Sequence, residues 1–350
     1  MISVLSELCS EGQIRKSTSY LVVLYQDESE RNFDYFPIKT PVEHQLIESL
    51  AICVELDCIE EEYLREMKYY IRNSREKNKG NGDFNIIGLG LGKPSDITLK
   101  GKKLIEQSNK IFLEGYTSIM LGGKDKLQSF FEKDIVEVDR ETVEQQSAEI
   151  LDHLKNGESV SFLVVGDPFG ATTHTDIILR SLNKANNIVI ANNASIINSI
   201  GISGLKPSKF GGIVSIPFWS ESYKPSSFYS KIVANYEIGL HTLCLLDIQV
   251  KEQSIENLMK GRKIYEKPKF MSVSVAAQQL LSCQANYCGK SCALINEDSV
   301  VVCLLRIGTE FESIRVSRLG DLPLLDYGPP LHSLIIVGEI DEEELLSNKI

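Results

Sequence analysis

The sequence has 350 residues, of which 43% are hydrophobic and 24% are charged, and its formal net charge is −11 at pH 7. A chain of this length predicts two or three domains and at least one sizeable buried core. It contains no run of about 18 apolar residues, so we expect no membrane-spanning helix. The acidic pI of about 5.1 argues against direct nucleic-acid binding, which needs a basic surface.

The N-terminus favours a cytoplasmic protein. Glu7 and Glu11 interrupt the first apolar stretch before it could form the core of a secretion signal. Without such a signal, the eight cysteines are expected to be reduced thiols, and none of them forms a CxxC motif.

The first 83 residues predict a small α+β extension. Tyr20–Tyr25 and Asn32–Ile38 are rich in apolar and aromatic residues and predict two strands. From Pro41 to Ile71, apolar residues recur at a spacing of about four, which predicts helix. Asn73–Asp83 is charged, contains glycine and lacks large apolar residues, so a linker is predicted there.

Strands and helices alternate from residue 84 to about residue 199, a pattern that predicts parallel βαβ units. Ser95 and Asp96 are the candidate N-caps of a first helix that ends near Asn109, and a second helix is predicted over Val143–Leu154. The predicted strands are Phe84–Ile87, Lys110–Glu114, Ile135–Val138, Val160–Val165 and Ile188–Ala191.

After about residue 200 the pattern predicts a second α+β domain with a mixed sheet. The chain is thereby divided into an extension (1–83), an N-terminal α/β domain (84–199) and a C-terminal α+β domain (200–345). The predicted elements of the last domain are strands Gly212–Pro217, Thr242–Asp247, Val300–Ile307 and His332–Val337 and helices Ser254–Lys263 and Val273–Leu281.

A glycine-rich turn, Gly88–Gly92, follows the first predicted strand. Glycines at such a turn let backbone N–H groups approach an anionic ligand. Glu114 ends the next strand, where a dinucleotide-binding protein keeps its ribose-binding acid, so a nicotinamide-dependent dehydrogenase is one hypothesis. The spacing is G-x-G-x-G rather than G-x-G-x-x-G, and Pro94 delays the helix. A turn that serves packing alone therefore stays open.

The segment Gly166–His174 (GDPFGATTH) follows the most apolar strand of this domain. Asp167 lies at the carboxyl end of that strand, where α/β sheets bind ligands, and Gly170 allows close backbone approach. Thr172 or Thr173 could cap the next helix. An Asx turn at Asp167 and a structural role for His174 are the alternatives.

Small polar residues, Asn192–Ser195, follow the next predicted strand in the same way and suit hydrogen bonds to a ligand. A plain loop with asparagine in the left-handed conformation is the alternative. His241 and His332 begin strands and are more often structural there. Cys283, Cys288 and Cys292 cluster, but no histidine lies nearby to complete a zinc site, so we predict no metal.

Seven motifs together carry a resemblance to a known family. The motifs are IIGLGLGKPSDIT (86–98), LEGYTS (113–118), VVGDPFGATTHTD (164–176), NASI (193–196), HTLCLLDI (241–248), GRKIYE (261–266) and PLHSLII (330–336). They closely resemble the diphthine synthase family, in particular its eukaryotic branch, the diphthine methyl ester synthases, within the tetrapyrrole methylase superfamily. The resemblance covers about residues 84–340; the extension and Cys283–Ser299 depart from it.

The resemblance implies a methyltransferase that uses S-adenosylmethionine. It implies a two-domain α/β fold with the cofactor in the cleft between the domains, and a homodimer. The implied substrate is a histidine of elongation factor 2 that carries an aminocarboxypropyl group, of which the amine is methylated and the carboxylate esterified. A small-molecule methyltransferase of the tetrapyrrole type and a non-catalytic binding protein are the alternatives.

The motifs also imply which residues bind the cofactor. Strand-end position alone had already selected Asp167, Gly170 and Ser195. His174 is the candidate for proton removal, although the final ester-forming transfer demands no general base. The implied cofactor-binding residues are Leu91, Asp167, Gly170, Ser195, Ile196, Leu246, Leu305 and His332.

Overall fold

The computed structural model describes strands within the first 53 residues and most of the chain from residue 80 onward. From there the described ranges are 80–117, 119–120, 123–221, 223–250, 265–286 and 294–347. The predicted helix Ser254–Lys263, two of the clustered cysteines (Cys288 and Cys292) and residues 73–79 of the predicted linker lie outside them. None of the described helices is both long enough and apolar enough to cross a membrane.

The chain divides into two compact units. The first includes the described residues up to Asn85, together with Thr142–Val160 and Ala171–Val189. The second includes Ile86–Glu141, Ser161–Gly170 and the described residues from 190 onward. The predicted domain boundaries near residues 84 and 200 stay a prediction.

The N-terminal strands form a sheet of three, with β1 (Tyr20–Asp27) between β2 (Glu30–Pro37) and β3 (Ile47–Cys53). Both pairings are antiparallel. The two predicted strands are confirmed, and the predicted helix is wrong over β3. A short apolar segment can form its backbone hydrogen bonds with the edge of a neighbouring strand. Such pairing decides the structure where the helical spacing of apolar residues is weak. The rest of that predicted helix, 54–71, is outside the described residues.

The first main sheet has the strand order β6-β5-β7-β4-β8. β5 and β6 pair in parallel, and every residue of β4 and β7 is buried. Continuous burial is typical of strands covered on both faces, as in α/β proteins. The five predicted strands are confirmed: β4 (Phe84–Gly88), β5 (Lys110–Glu114), β6 (Val136–Val138), β7 (Val160–Val164) and β8 (Ile188–Ala191).

The first helix, α1 (Leu99–Gln107), begins later than predicted. Its N-cap is Thr98, whose hydroxyl accepts a hydrogen bond from the backbone N–H three residues later at 3.0 Å. Ser95 and Asp96 instead belong to a 3-10 turn that begins at Pro94. Proline is suited to the first position of such a turn, which delays the helix proper.

The helices α2 (Gly123–Phe131), α3 (Arg140–Glu144), α4 (Ala148–Lys155) and α5 (Thr175–Ser181) follow in chain order. The single helix predicted over Val143–Leu154 is therefore divided in two. The N-cap of α5 is His174, without a side-chain cap bond, so the predicted threonine cap is wrong. His174 already has helical angles, which places the start of the helix beyond both threonines.

The second main sheet is mixed, as predicted, with the order β14-β13-β15-β10-β9. β9 and β10 pair in parallel, and the other neighbours pair antiparallel. The edge strand β14 was not predicted, since polar residues occupy four of its six positions and leave a weak strand pattern. The strands are β9 (Val214–Ile216), β10 (Thr242–Leu246), β13 (Val300–Leu305), β14 (Ser313–Arg318) and β15 (His332–Ile336).

The remaining elements surround this sheet. Helix α6 was missed, although its buried Phe228, Tyr229, Ile232 and Val233 have helical spacing. The predicted helix at Val273 is confirmed and is longer than expected. The elements are α6 (Ser227–Glu237), β11 (Ile248–Gln249), β12 (Lys269–Phe270), α7 (Val273–Asn286) and α8 (Glu342–Ser347).

Candidate functional site

The glycine-rich turn after β4 is joined to the turn after β7 by backbone hydrogen bonds. The N–H of Gly90 donates to the carbonyl of Gly166 at 3.1 Å, and the N–H of Gly166 donates back at 2.9 Å. Both residues have positive φ, 78° and 84°, which glycine adopts without steric cost. The glycines therefore hold two strand-end turns together.

The Asp167 carboxylate connects the turn after β7 to the loop after β8. One oxygen accepts a hydrogen bond from the N–H of Phe169 at 2.9 Å, which is the Asx turn left open by the sequence. The other oxygen accepts from the N–H of Asn193 at 3.0 Å. An ionised carboxylate has about four acceptor positions, so Asp167 retains capacity for a ligand.

The loop after β8 is anchored to the loop after β4 by Asn193. Its amide nitrogen donates to the carbonyls of Gly88 at 3.0 Å and Asp96 at 3.1 Å. The loops after β4, β7 and β8, called the strand-end loops below, are thus mutually bonded. Polar residues at the ends of three neighbouring strands therefore lie together.

Ser195 and Gly170 are neighbours within the strand-end loops. Ser195 is 7% exposed, and its N–H donates to the side chain of Asn198 at 2.8 Å. A methyl group at Gly170 would lie 3.1 Å from the Ser195 hydroxyl. Gly170 therefore keeps the space beside that hydroxyl open.

Two aliphatic residues of the strand-end loops, Leu91 and Ile196, pack against an apolar cluster on the second sheet. Gly92 and Gly308 bring the backbones there into contact, because a methyl group on Gly92 would overlap the Gly308 carbonyl. The cluster consists of Ile200, Leu205, Leu243, Val302, Leu304, Ile307, Ile335 and Val337.

The other three implied site residues, Leu246, Leu305 and His332, lie at one end of the second sheet. Leu305 and His332 are direct partners in the β13–β15 pairing. Leu246 ends β10, the next strand of the sheet beyond β15. All three are buried, which makes this end largely apolar.

A family model described as Tetrapyrrole (Corrin/Porphyrin) Methylases matches residues 83–323. The chain belongs to this family. A diphthine methyl ester synthase of Bos taurus is 48% identical over 255 residues, which cover 72% of this chain and 89% of the relative. The Saccharomyces cerevisiae relative of the same name is 44% identical over 266 residues, which cover 75% and 87%. These comparisons confirm the resemblance stated from the motifs.

Solved structures agree with this assignment. A crystal structure of diphthine synthase matches with a TM-score of 0.64 and 27% identity, covering 77% of this chain and 95% of that one. The match to the family model begins at residue 83, where the predicted linker ends.

In this methylase, the hydrogen-bond partners of His332 match those of a neutral imidazole. Its Nδ1 faces the N–H of Val273 at 3.4 Å and must accept, so its Nε2–H donates to the Pro329 carbonyl at 2.9 Å. Burial is the main cause that lowers the pKa of His332, and the charge of Arg306 acts in the same direction. Backbone groups occupy both ring nitrogens, so His332 contributes an uncharged ring surface to the site.

Sequence reasoning missed Arg306, although the residue lies inside the LLRIG segment that supplied Leu305. Its Nε donates to the Phe311 carbonyl at 2.9 Å, and its Nη1 lies 3.5 Å from Nε2 of His332. Its φ of 52° is unusual for a residue other than glycine. An arginine directly after a site residue was the signal available in the sequence.

Glu114 has a structural role in the methylase. Its carboxylate is buried and accepts from the N–H of Tyr116 at 2.9 Å and from the N–H and hydroxyl of Thr117, each at 2.6 Å. These bonds occupy both oxygens within its own loop. The ribose-binding hypothesis for Glu114, and with it the dehydrogenase reading, has no support in this geometry.

His174 is buried at 1% exposure and belongs to the first unit, whereas the eight implied cofactor residues belong to the second. Its proposed part in proton removal stays a prediction. Among the clustered cysteines, Cys283 is buried, and burial raises its pKa to about 11. Within the part of the chain that is described, no group of three His, Cys, Asp or Glu side chains could hold a metal.

Proposed function

We propose that this protein transfers methyl groups from S-adenosylmethionine to the aminocarboxypropyl-modified histidine of elongation factor 2, giving diphthine methyl ester. Relatives named diphthine methyl ester synthase, 44% to 48% identical over most of their length, support the proposal. The observation that carries it is the mutual bonding of the strand-end loops around Asp167.

The residues present fit such a cofactor. A nucleoside needs apolar surface for its base and acceptors for its ribose hydroxyls. Leu91, Ile196 and Leu246 offer the first, and the unused lone pairs of Asp167 offer the second. S-adenosylmethionine, when bound, supplies an electrophilic methyl group on a sulfonium.

The protein's own contribution to methyl transfer is alignment and exclusion of water. Holding two reactants in line can contribute about 7–11 kcal/mol of the barrier. The attacking amine must be neutral, and a partly desolvated site lowers an amine pKa. Desolvation also activates a carboxylate, the nucleophile for ester formation. Aliphatic Leu246 and Leu305 and neutral His332 make the end of the second sheet suitable for this task.

We also propose that the protein acts in the cytoplasm as a homodimer, as the family resemblance implies. Light scattering on the purified full chain tests the dimer directly. A mass equal to that of one chain would contradict it.

A second candidate function follows from the description of the family model, which names tetrapyrroles. Incubation with S-adenosylmethionine carrying a labelled methyl group separates the two. We expect label in elongation factor 2 that bears the aminocarboxypropyl group, and none in a reduced tetrapyrrole. Label in the tetrapyrrole alone would replace the first proposal by the second.

The dehydrogenase alternative is tested by thermal shift. S-adenosylhomocysteine is expected to raise the melting temperature of the full chain, and NADH is not. Stabilisation by NADH alone would contradict a methyltransferase.

A further inference from the structure

Arg306 is held by backbone carbonyls and retains unused hydrogen-bond donors. Its Nε donates to Phe311, and its Nη1 donates to Tyr327 at 3.0 Å and to Pro329 at 2.6 Å. A guanidinium has five N–H groups, and these bonds use three. The two N–H groups of Nη2 have no partner among the residues that the structure describes.

The charge of Arg306 is not neutralised by any described carboxylate. Two other described arginines do have carboxylate partners: Arg180 pairs with Asp176 at 2.6 Å, and Arg318 pairs with Asp298 at 2.9 Å. The hydrogen-bond partners of Arg306 are uncharged backbone carbonyls. A half-buried guanidinium without a counter-ion can take an anionic ligand as its partner.

The position of Arg306 places this charge among the implied cofactor residues. It directly follows Leu305, and its Nη1 lies 3.5 Å from Nε2 of His332. Two residues further on, a methyl group at Gly308 would lie 2.6 Å from Cβ of Leu91. The positive φ of Arg306 is a sparsely populated conformation for a residue other than glycine, and such conformations cluster at functional sites.

We propose that Nη2 of Arg306 binds a carboxylate at this site. Guanidinium groups match carboxylates in charge and in geometry. The proposal rests on the proposed function, which provides two carboxylates of one chemical class. One belongs to the amino acid end of the cofactor, and the other to the aminocarboxypropyl group of the protein substrate.

The test compares Arg306→Gln, Arg306→Lys and wild type as full chains. Calorimetry measures binding of S-adenosylhomocysteine and of 5′-methylthioadenosine, which lacks the amino acid end. Kinetics then measure KM and kcat for elongation factor 2 that carries the aminocarboxypropyl group. Arg318→Gln is the matched control, since Arg318 pairs with Val300 at the far end of β13 from Leu305, about 16 Å away.

Two results support the proposal, each for one source of the carboxylate. If the cofactor supplies it, Arg306→Gln weakens S-adenosylhomocysteine binding by about 10- to 100-fold and changes 5′-methylthioadenosine binding by less than about twofold. If the protein substrate supplies it, binding of both nucleosides is unchanged. KM for elongation factor 2 then rises at least about tenfold in Arg306→Gln. It rises less in Arg306→Lys, because lysine keeps the positive charge.

Three results overturn the proposal. Both nucleosides could lose affinity by the same factor, which would leave Arg306 with a structural role only. KM could rise equally in the Gln and Lys variants. Loss of the three carbonyl bonds, which neither variant reproduces, would then explain the rise without any role for the charge. All parameters could equal those of wild type. Failure of the proposed function is distinct, because wild type itself would then neither bind S-adenosylhomocysteine nor transfer methyl groups.

Discussion

The strand-end loops of the first sheet and the adjoining end of the second sheet hold their site residues by different interactions. In the loops, side chains bond to backbone, as Asp167 and Asn193 do, and glycine backbones bond to each other. At the sheet end, Leu305 and His332 are placed by strand register, and Arg306 secures the neighbouring carbonyls. The loops should therefore be sensitive to loss of single polar groups, and the sheet end to charge and pH.

The largest effect is expected from Asp167→Ala. The substitution removes the acceptor for two backbone N–H groups in separate loops. Hydrogen bonds to a charged group contribute about 1.5–3 kcal/mol each when well buried, so at this half-buried site we expect a loss of about 2–4 kcal/mol in the free energy of unfolding. S-adenosylhomocysteine affinity should fall more than about tenfold. Denaturation and calorimetry measure the two quantities.

The control for that variant is Asp298→Ala, because Asp298 is an exposed carboxylate in a surface ion pair. It should change stability by less than about 0.5 kcal/mol. Unchanged S-adenosylhomocysteine binding in Asp167→Ala would refute the cofactor role of Asp167.

Gly92→Ala is expected to have the next largest effect. Its methyl group would overlap the carbonyl of Gly308, a backbone atom that cannot rotate away. Overpacking of this kind costs about 1–3 kcal/mol of unfolding free energy. Gly212→Ala is the matched control, since the nearest atom to its methyl group belongs to Asn235 at 3.9 Å. Equal stability of the two variants would contradict the close approach of the two backbones.

His332 should make stability depend on pH. Its pKa is lowered in the folded protein, so the unfolded chain takes up the proton first as pH falls. The stabilisation is complete above the ordinary pKa of about 6.5 and is lost as pH falls towards the folded-state value. Between pH 7.5 and 5.5, His332→Gln should lose less stability than wild type. Denaturation curves at both pH values test this.

His153→Gln is the control for the pH experiment, because His153 is a partly exposed histidine that pairs with Glu158. The comparison separates the loss of His332 from the loss of a histidine as such. A pH dependence that disappears in His153→Gln and persists in His332→Gln would contradict the assignment.

The smallest effect is expected from Arg318→Gln at the opposite end of the second sheet. Both side chains of its ion pair with Asp298 are exposed, and such pairs contribute about 0–1 kcal/mol to the free energy of unfolding. Stability and S-adenosylhomocysteine affinity should both stay close to wild type. A tenfold loss of affinity would show that charge anywhere on this sheet affects the site.

Local sequence patterns were sufficient where one chain segment decides the structure. Continuous apolar runs identified β4 and β7. Strand-end position selected Asp167, Gly170 and Ser195 before any resemblance was used, and the structure places all three in the strand-end loops. The helix predicted across Ile47–Cys53 failed because pairing with another strand decides that segment.

Arg306 could not be found in the same way, since its role depends on carbonyls from residues that lie up to 23 positions away. The register that places Leu305 beside His332 is likewise a property of the assembled sheet, not of either segment. The family resemblance supplied Leu305 and His332, and the structure supplied their arrangement.

The most direct test is mass spectrometry of the modified histidine peptide of elongation factor 2. The peptide is measured after elongation factor 2 carrying the aminocarboxypropyl group is incubated with the full chain and S-adenosylmethionine. We predict methylation of the amine together with a methyl ester on the carboxylate. An unchanged peptide mass, with an enzyme that binds S-adenosylhomocysteine, would contradict the proposed function.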